Sequence, residues 1–258
     1  MTPRPVLVCT AHDSTGELLK VATPELLREL TRVFPHTSVV CTDSTVPDFE
    51  HVLARSGIAV QRMKTSRLGL YSRAISVGAS QSDFLFCADF DRLLHWQRSY
   101  PEELADCARD ASQAPFTLFG RSTRAFDTHP ECQRLTEGSV NDVARHLFHL
   151  EADVDLFAAC WGMAKSVAQQ LVTTPLAADV SFYSVWPSLV WKSGARWAYR
   201  STEGLEWETP DVHATEIQAH GREAWVQQFE SSSQWRFRVA MATVWTRGLI
   251  AVADGSVT

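Results

Sequence analysis

The chain has 258 residues, 45% of them hydrophobic and 21% charged, with a formal net charge of −6. That length allows one large domain or two small ones, and the composition is that of an ordinary soluble globular protein with a sizeable core. The acidic balance argues against a polyanion-binding surface, so no nucleic-acid partner is expected. The six cysteines (Cys9, Cys41, Cys87, Cys107, Cys132, Cys160) are scattered without a CxxC pair, which reads as reduced core thiols in a cytoplasmic protein. Met1-Thr-Pro-Arg-Pro5 runs directly into a strand-like segment rather than a signal sequence. Arg236, Arg238 and Arg247 interrupt the most apolar C-terminal stretch, so no transmembrane segment is expected.

In chain order, Val6 to Cys9 reads as a strand, followed by the polar loop Ala11 to Gly16. Thr23-Pro-Glu25 opens a helix with a capping oxygen, a proline where a missing N–H costs little, and an acid in the first turn. A second strand over Ser38 to Cys41 ends at Thr42-Asp43-Ser44-Thr45. A short helix through Phe49, Val52 and Leu53 stops at Gly57, and a third strand lies near Ile58 to Val60. Leu68, Tyr71, Ile75 and Ala79 give the buried stripe of a helix over 67–79. The apolar run Phe84 to Ala88 then leads into Asp89-Phe90-Asp91. If that triplet is extended, both carboxylates face one way and Phe90 the other. Pro101 starts a further helix and Phe116 to Phe119 a further strand.

Strands alternating with helices predict an α/β fold: a mostly parallel central sheet with helices on both faces. Ligands of such sheets gather outside the carboxyl ends of the strands, where Asp13, Asp43, Asp89 and Asp91 all fall. From Arg121 to Asp155 the pattern loosens, which reads as an insertion or lid with a helix over 139–148. A later helix carries Phe182, Trp186, Leu189 and Val190, with Pro187 expected to kink or divide it. Arg196 to Tyr199 reads as an edge strand and Trp235 to Ile250 as a packing helix. One compact domain over 1–258 is the simpler organisation.

Four segments in this order resemble the nucleotide-sugar-dependent glycosyltransferases of the GT-A fold, in particular the family 2-like group. They are Val39 to Thr45, Arg67 through Arg73 to Ala79, Phe84 to Asp91 with its Asp-x-Asp ending, and Ala178-Asp179 with the aromatic helix and Gly194 after it. Two departures are Arg92 after Asp91, and Ala-Asp where the family has an acidic pair. The resemblance implies a nucleotide-binding half (1–120) and an acceptor half (121–258), and metal-dependent transfer of a single sugar from a nucleoside-diphosphate sugar donor to an unknown hydroxyl acceptor. It assigns Asp89 and Asp91 to a divalent cation, Mn2+ or Mg2+, with His213, or else His220, closing the metal site. It assigns Asp43, Arg67, Arg73 and Asp89 to the nucleotide sugar, Asp179 to proton abstraction from the acceptor, and Glu206 and Trp207 to the acceptor pocket. The residues alone also admit plainer readings: turn acids, helix caps and solvated faces. The rival functions are a haloacid-dehalogenase-like phosphatase using Asp89 as nucleophile, a nucleotidyltransferase sharing the same sheet, to whose Gly-rich basic loop Ala11 to Gly16 is a poor match, and a non-catalytic nucleotide- or glycan-binding protein of the same fold.

Overall fold

A computed structural model describes residues 4–151 and 153–257. The first three residues, on which the N-terminal reading partly rests, lie outside them. One seven-stranded sheet runs through the molecule in the order β3-β2-β1-β4-β6-β5-β7. Its strands are β1 (Val6–Ala11), β2 (Thr37–Thr42), β3 (Ala59–Met63), β4 (Phe84–Asp89), β5 (Phe116–Arg121), β6 (Cys160–Ala164) and β7 (Trp197–Thr202). Strand β6 alone is antiparallel to its neighbours. This is the mostly parallel α/β architecture that the alternating pattern predicts.

Period-2 alternation divides the core in two. On one face Val6, Val8, Leu85, Cys87, Phe116, Leu118, Trp161 and Met163 pack beneath helices α4 (Arg67–Gln81), α8 (Glu131–Phe148), α9 (Lys165–Thr173), α10 (Phe182–Lys192) and α14 (Ser232–Asp254). On the other, Leu7, Cys9, Phe86, Ala88 and Phe119 pack against α2 (Pro24–Val33), α3 (Asp48–Arg55), α5 (Phe90–Ser99) and α6 (Pro101–Asp110). The smaller helices are α1 (Glu17–Val21), α7 (Thr123–Asp127), α11 (Thr209–Val212), α12 (Ala214–His220) and α13 (Arg222–Gln227). All six cysteines are buried and free. No helix among the described residues is long and apolar enough to cross a membrane.

Local chemistry explains several boundaries. Thr23 caps α2 by accepting from the Leu26 N–H, with Pro24 following it. Ser66 caps α4 by accepting from Gly69. Gly162 lets β6 lie against the end of α6, because a Cβ there would sit 2.7 Å from both Cα and O of Ala111.

Three expectations are corrected. The stretch from Arg121 to Asp155 is not a loose lid: it holds α7 and the 18-residue α8, which packs on α14. That helix starts at Glu131, eight residues before the predicted start, because its first two turns bury Cys132, Gln133, Thr136 and Glu137 rather than an apolar stripe. Pro187 does not divide its helix, since α10 runs unbroken from Phe182 to Lys192.

The polar residues at the head of α8 surround a buried ion cluster. The Arg121 guanidinium at the end of β5 donates to both oxygens of Asp155 (2.7 and 2.9 Å) and to Glu137 (2.7 Å). Asn141 donates to Asp155 at 3.0 Å. Burial opposes ionisation of Asp155, but the Arg121 charge and these hydrogen bonds outweigh it and hold the carboxyl well below its usual range. Its stabilising effect is therefore present above the unfolded carboxyl value of about 4 and lost only as pH falls toward the lower native value. Asp155→Ala removes the bidentate partner of a buried guanidinium, leaving it Glu137 alone, and should cost about 3–5 kcal/mol in urea denaturation at neutral pH. A loss under about 1 kcal/mol, within the range of a surface ion pair, would contradict the cluster's role.

Candidate functional site

The carboxyl ends of β1, β2 and β4 and the segments after β5 and β7 share one rim, and the site is built there. Asp89 is the last residue of β4 and Phe90 the first of α5. The triplet is thus not extended, which corrects the expectation of two carboxylates on one strand face. The helix opens because Phe90, Leu93 and Leu94 are all buried on the α2/α3 side. Asp89 faces the sheet rim, while Asp91 sits in the first helical turn.

Asp89 is 8% exposed and engaged on both oxygens. Oδ1 accepts from Thr10 on β1 (2.5 Å) and from the Tyr71 hydroxyl on α4 (2.7 Å), and Oδ2 accepts from Arg67 (2.9 Å). Burial alone would raise its pKa. The Arg67 and Arg92 guanidiniums, with the Thr10 and Tyr71 hydrogen bonds, reverse that and keep it ionised below the ordinary range. Arg67 also donates to the Tyr183 hydroxyl, linking the rim of β4 to α10.

Asp91 is half-buried, and its Oδ1 accepts from the Arg92 N–H at 2.9 Å. Burial first, then the negative charges of Glu208 and Asp89, push it up to about 7 against the opposing pull of Arg92. It borders two adjoining hollows. One, of about 220 Å³, also has Thr10, His12, Leu18, Arg67 and Asp89 in its walls. The other, about 160 Å³, is lined by Asp13, Ser14, Glu17 and His213 besides Asp91 and His12. Asp13 fixes that loop: its Oδ2 accepts from Leu19 N (3.1 Å) and its carbonyl from Val46 N (2.8 Å).

Arg67 and Asp89 also border a third hollow of about 270 Å³, walled by Phe157, Tyr183, Trp207 and Trp245. The segment after β7 supplies part of it and is firmly held. Glu103 accepts from the N–H groups of Glu203 and Gly204 (both 2.8 Å) and from Trp96 Nε1 (2.8 Å), and Thr128 accepts from Trp207 N (2.8 Å). Trp207 stacks on Trp225 at 5.2 Å.

The remaining candidates fall as follows. His213 lies across from Asp91, with its Nδ1 3.1 Å from Glu216. His220 ends α12 and is exposed. Asp43 is exposed just after β2, where its N–H donates to Met63 and its carbonyl accepts from Arg62 (3.0 Å). Arg73 is exposed and donates to Gln61 at 2.6 Å, away from the three hollows. Asp179 is exposed and accepts from Ser181 N (2.8 Å) ahead of α10. Glu206 is bound by His95 (3.1 Å) and Arg124 (2.6 Å) beside the third hollow rather than in it. The structure thus brings together Arg67, Asp89, Asp91, His213 and Trp207 along one rim, and leaves Asp43, Arg73, Asp179 and Glu206 outside the hollows.

Among the described residues no three His, Cys, Asp or Glu side chains converge as a ready metal cage. Asp89 already accepts from three protein donors and so has less to offer a cation than Asp91 does. Asp91 does fit a hard cation that takes its other ligands from water and substrate phosphates, as Mg2+ commonly does. Its carboxyl carries a surplus of neighbouring negative charge that a dication would relieve.

No family model and no curated protein matches the chain. Among solved structures, that of CMP:2-keto-3-deoxy-manno-octonic acid synthetase complexed with CTP superposes with a TM-score of 0.49 at 14% identity, over 86% of this chain and 100% of that one. A similarity of that degree carries no residue-by-residue correspondence.

Sequence reading overlooked Tyr183 and Glu208 and gave Tyr71 and Arg92 no site role. Tyr71 entered only as a polar-tipped residue in the α4 stripe, and Arg92 only as a departure after Asp91. Tyr71→Phe removes one of three donors to the buried Asp89 carboxylate and should cost about 1.5–3 kcal/mol in chemical denaturation. An unchanged midpoint would deny that Tyr71 holds Asp89.

Proposed function

We propose that the chain is a nucleotide-sugar-dependent glycosyltransferase that moves one sugar to a hydroxyl acceptor with the help of a divalent cation. The observation carrying this reading is the single rim on which an undercompensated acid, Asp91, and a cation, Arg67, stand between a polar hollow and an aromatic one. The polar side suits a nucleoside diphosphate. Asp91 would hold the cation, with His213 opposite it, and Arg67 would fork across phosphate oxygens. The cation, when bound, offsets the charge that gathers on the departing diphosphate. Asp89 positions Arg67 and closes the end of β4. The aromatic side suits the acceptor.

The phosphatase reading fares worse on one observation. A nucleophilic carboxylate needs a free oxygen, and both oxygens of Asp89 already accept from Thr10, Tyr71 and Arg67.

Release of nucleoside diphosphate from a panel of nucleotide sugars, with and without Mn2+ or Mg2+, tests the proposal. Metal-dependent release is expected, and Asp91→Asn should reduce it by about a hundredfold or more. No release from any donor, with phosphate freed from simple phosphoesters instead, would favour the phosphatase. Because Asp91 must lose a proton to meet a cation, affinity for Mn2+ with a nucleoside diphosphate should tighten as pH rises through about 7. That pH dependence should vanish in Asp91→Asn, as read by titration calorimetry.

A further inference from the structure

Three residues that border the aromatic hollow, Arg92, His129 and Glu208, carry buried polar atoms without partners, and the types of those atoms restrict what they can receive. His129 is 4% exposed and borders the hollow. Its Nδ1 lies 3.1 Å from the Ala125 carbonyl oxygen. A carbonyl only accepts, so Nδ1 carries the hydrogen and Nε2 presents a lone pair. That Nε2 has no hydrogen-bond partner. Burial, then the Arg121 and Arg92 guanidiniums, hold the ring well below its usual pKa, so it is neutral and Nε2 stays an acceptor. Glu208 is 9% exposed. Its Oε1 lies 3.5 Å from Arg92 Nε, whereas its Oε2 has no hydrogen-bond partner. Arg92 Nε is a buried donor equally without one.

Two acceptors and a donor call for a group that both donates and accepts. A hydroxyl does this, while a phosphate or carboxylate only accepts and an alkyl chain does neither. The walls add a second requirement. Trp207, Tyr183, Phe157 and Trp245 present rings, which pack against the C–H face of a sugar while its hydroxyls reach polar neighbours. A volume of about 270 Å³ suits one ring rather than a chain.

We infer that this hollow is the acceptor subsite for a carbohydrate, whose hydroxyls are received by His129 Nε2 and Glu208 Oε2, with Glu208 taking the proton of the attacking hydroxyl. The inference rests on the transferase reading above. In the step, the acceptor oxygen bonds to the anomeric carbon of the donor. The bond from that carbon to the diphosphate oxygen breaks, its electron pair leaving on the phosphate. The hydroxyl proton passes to Glu208 Oε2, and nothing else enters or leaves. His129 is a binding residue in this scheme.

Saturation-transfer NMR on the whole chain with methyl glycosides of common hexoses, with and without a nucleoside diphosphate and Mn2+, tests the subsite. Wild type should give a glycoside signal, His129→Leu should lose it, and His129→Gln, whose amide oxygen accepts, should retain part of it. The isosteric Glu208→Gln should still bind Mn2+ and nucleoside diphosphate but transfer sugar to the bound glycoside about 10²–10⁴ times more slowly. Absence of any glycoside signal from wild type, undiminished signal in a folded His129→Leu, or wild-type transfer by Glu208→Gln would overturn the inference. Nucleotide affinity is scored separately: if wild type binds glycosides but no nucleoside diphosphate, the transferase reading fails while the subsite stands.

Discussion

The Asp89 carboxylate ties the two halves of the rim together. It ends β4 at the centre of the sheet and accepts from Thr10 on the neighbouring strand and from Tyr71 and Arg67 on the overlying helix. Arg67 carries the connection on to Tyr183 of α10. Three donors and nearby positive charge keep a deeply placed acid ionised where burial alone would neutralise it. The cost falls on its neighbour. With Arg67 committed to Asp89, Asp91 has only Arg92 to set against two other acids, and its pKa rises. Environment divides two acids of similar intrinsic strength into one held ionised and one held nearer to neutral, a separation that often marks working sites.

The reversed strand decides what surrounds them. Because β6 runs against its neighbours, the chain enters it from the rim, so Phe157 and Ala159 arrive there on the segment before the strand. Trp207 and Glu208 arrive on the segment after β7, which is parallel to β5. Both segments meet the end of β4 without a long excursion. The aromatic hollow is a consequence of sheet topology as much as of side-chain choice.

Much of this was legible in the sequence where the signal is local. Short apolar runs mark β1, β2, β4 and β5, and Thr23-Pro24 marks the start of α2, because each depends on residues within a few positions. The acidic triplet misled for a related reason. The apolar run before it predicts an extended chain through Asp91, but burial of Phe90, Leu93 and Leu94 against α2 and α3 ends the strand two residues sooner and opens a helix. Arg121 bonds a residue 34 positions away, Arg67 one 116 away, and the wall beside Asp89 joins residues from 67 to 245. No local pattern announces such partners. His129 has no periodic neighbours at all, and only the accounting of buried polar atoms in three dimensions draws it out. Asp43 and Arg73 show the converse: readable positions whose side chains point to solvent.

Ala159 has a φ of 51°, in the left-handed region, and is 2% exposed. Glycine would adopt that torsion freely, whereas a Cβ there costs about 1–2 kcal/mol. The chain nevertheless keeps a methyl group at this bend, directly on the wall that the aromatic rings complete. At this point the recess therefore meets a methyl group carried on a left-handed main chain, where glycine would relieve the torsion but leave bare backbone.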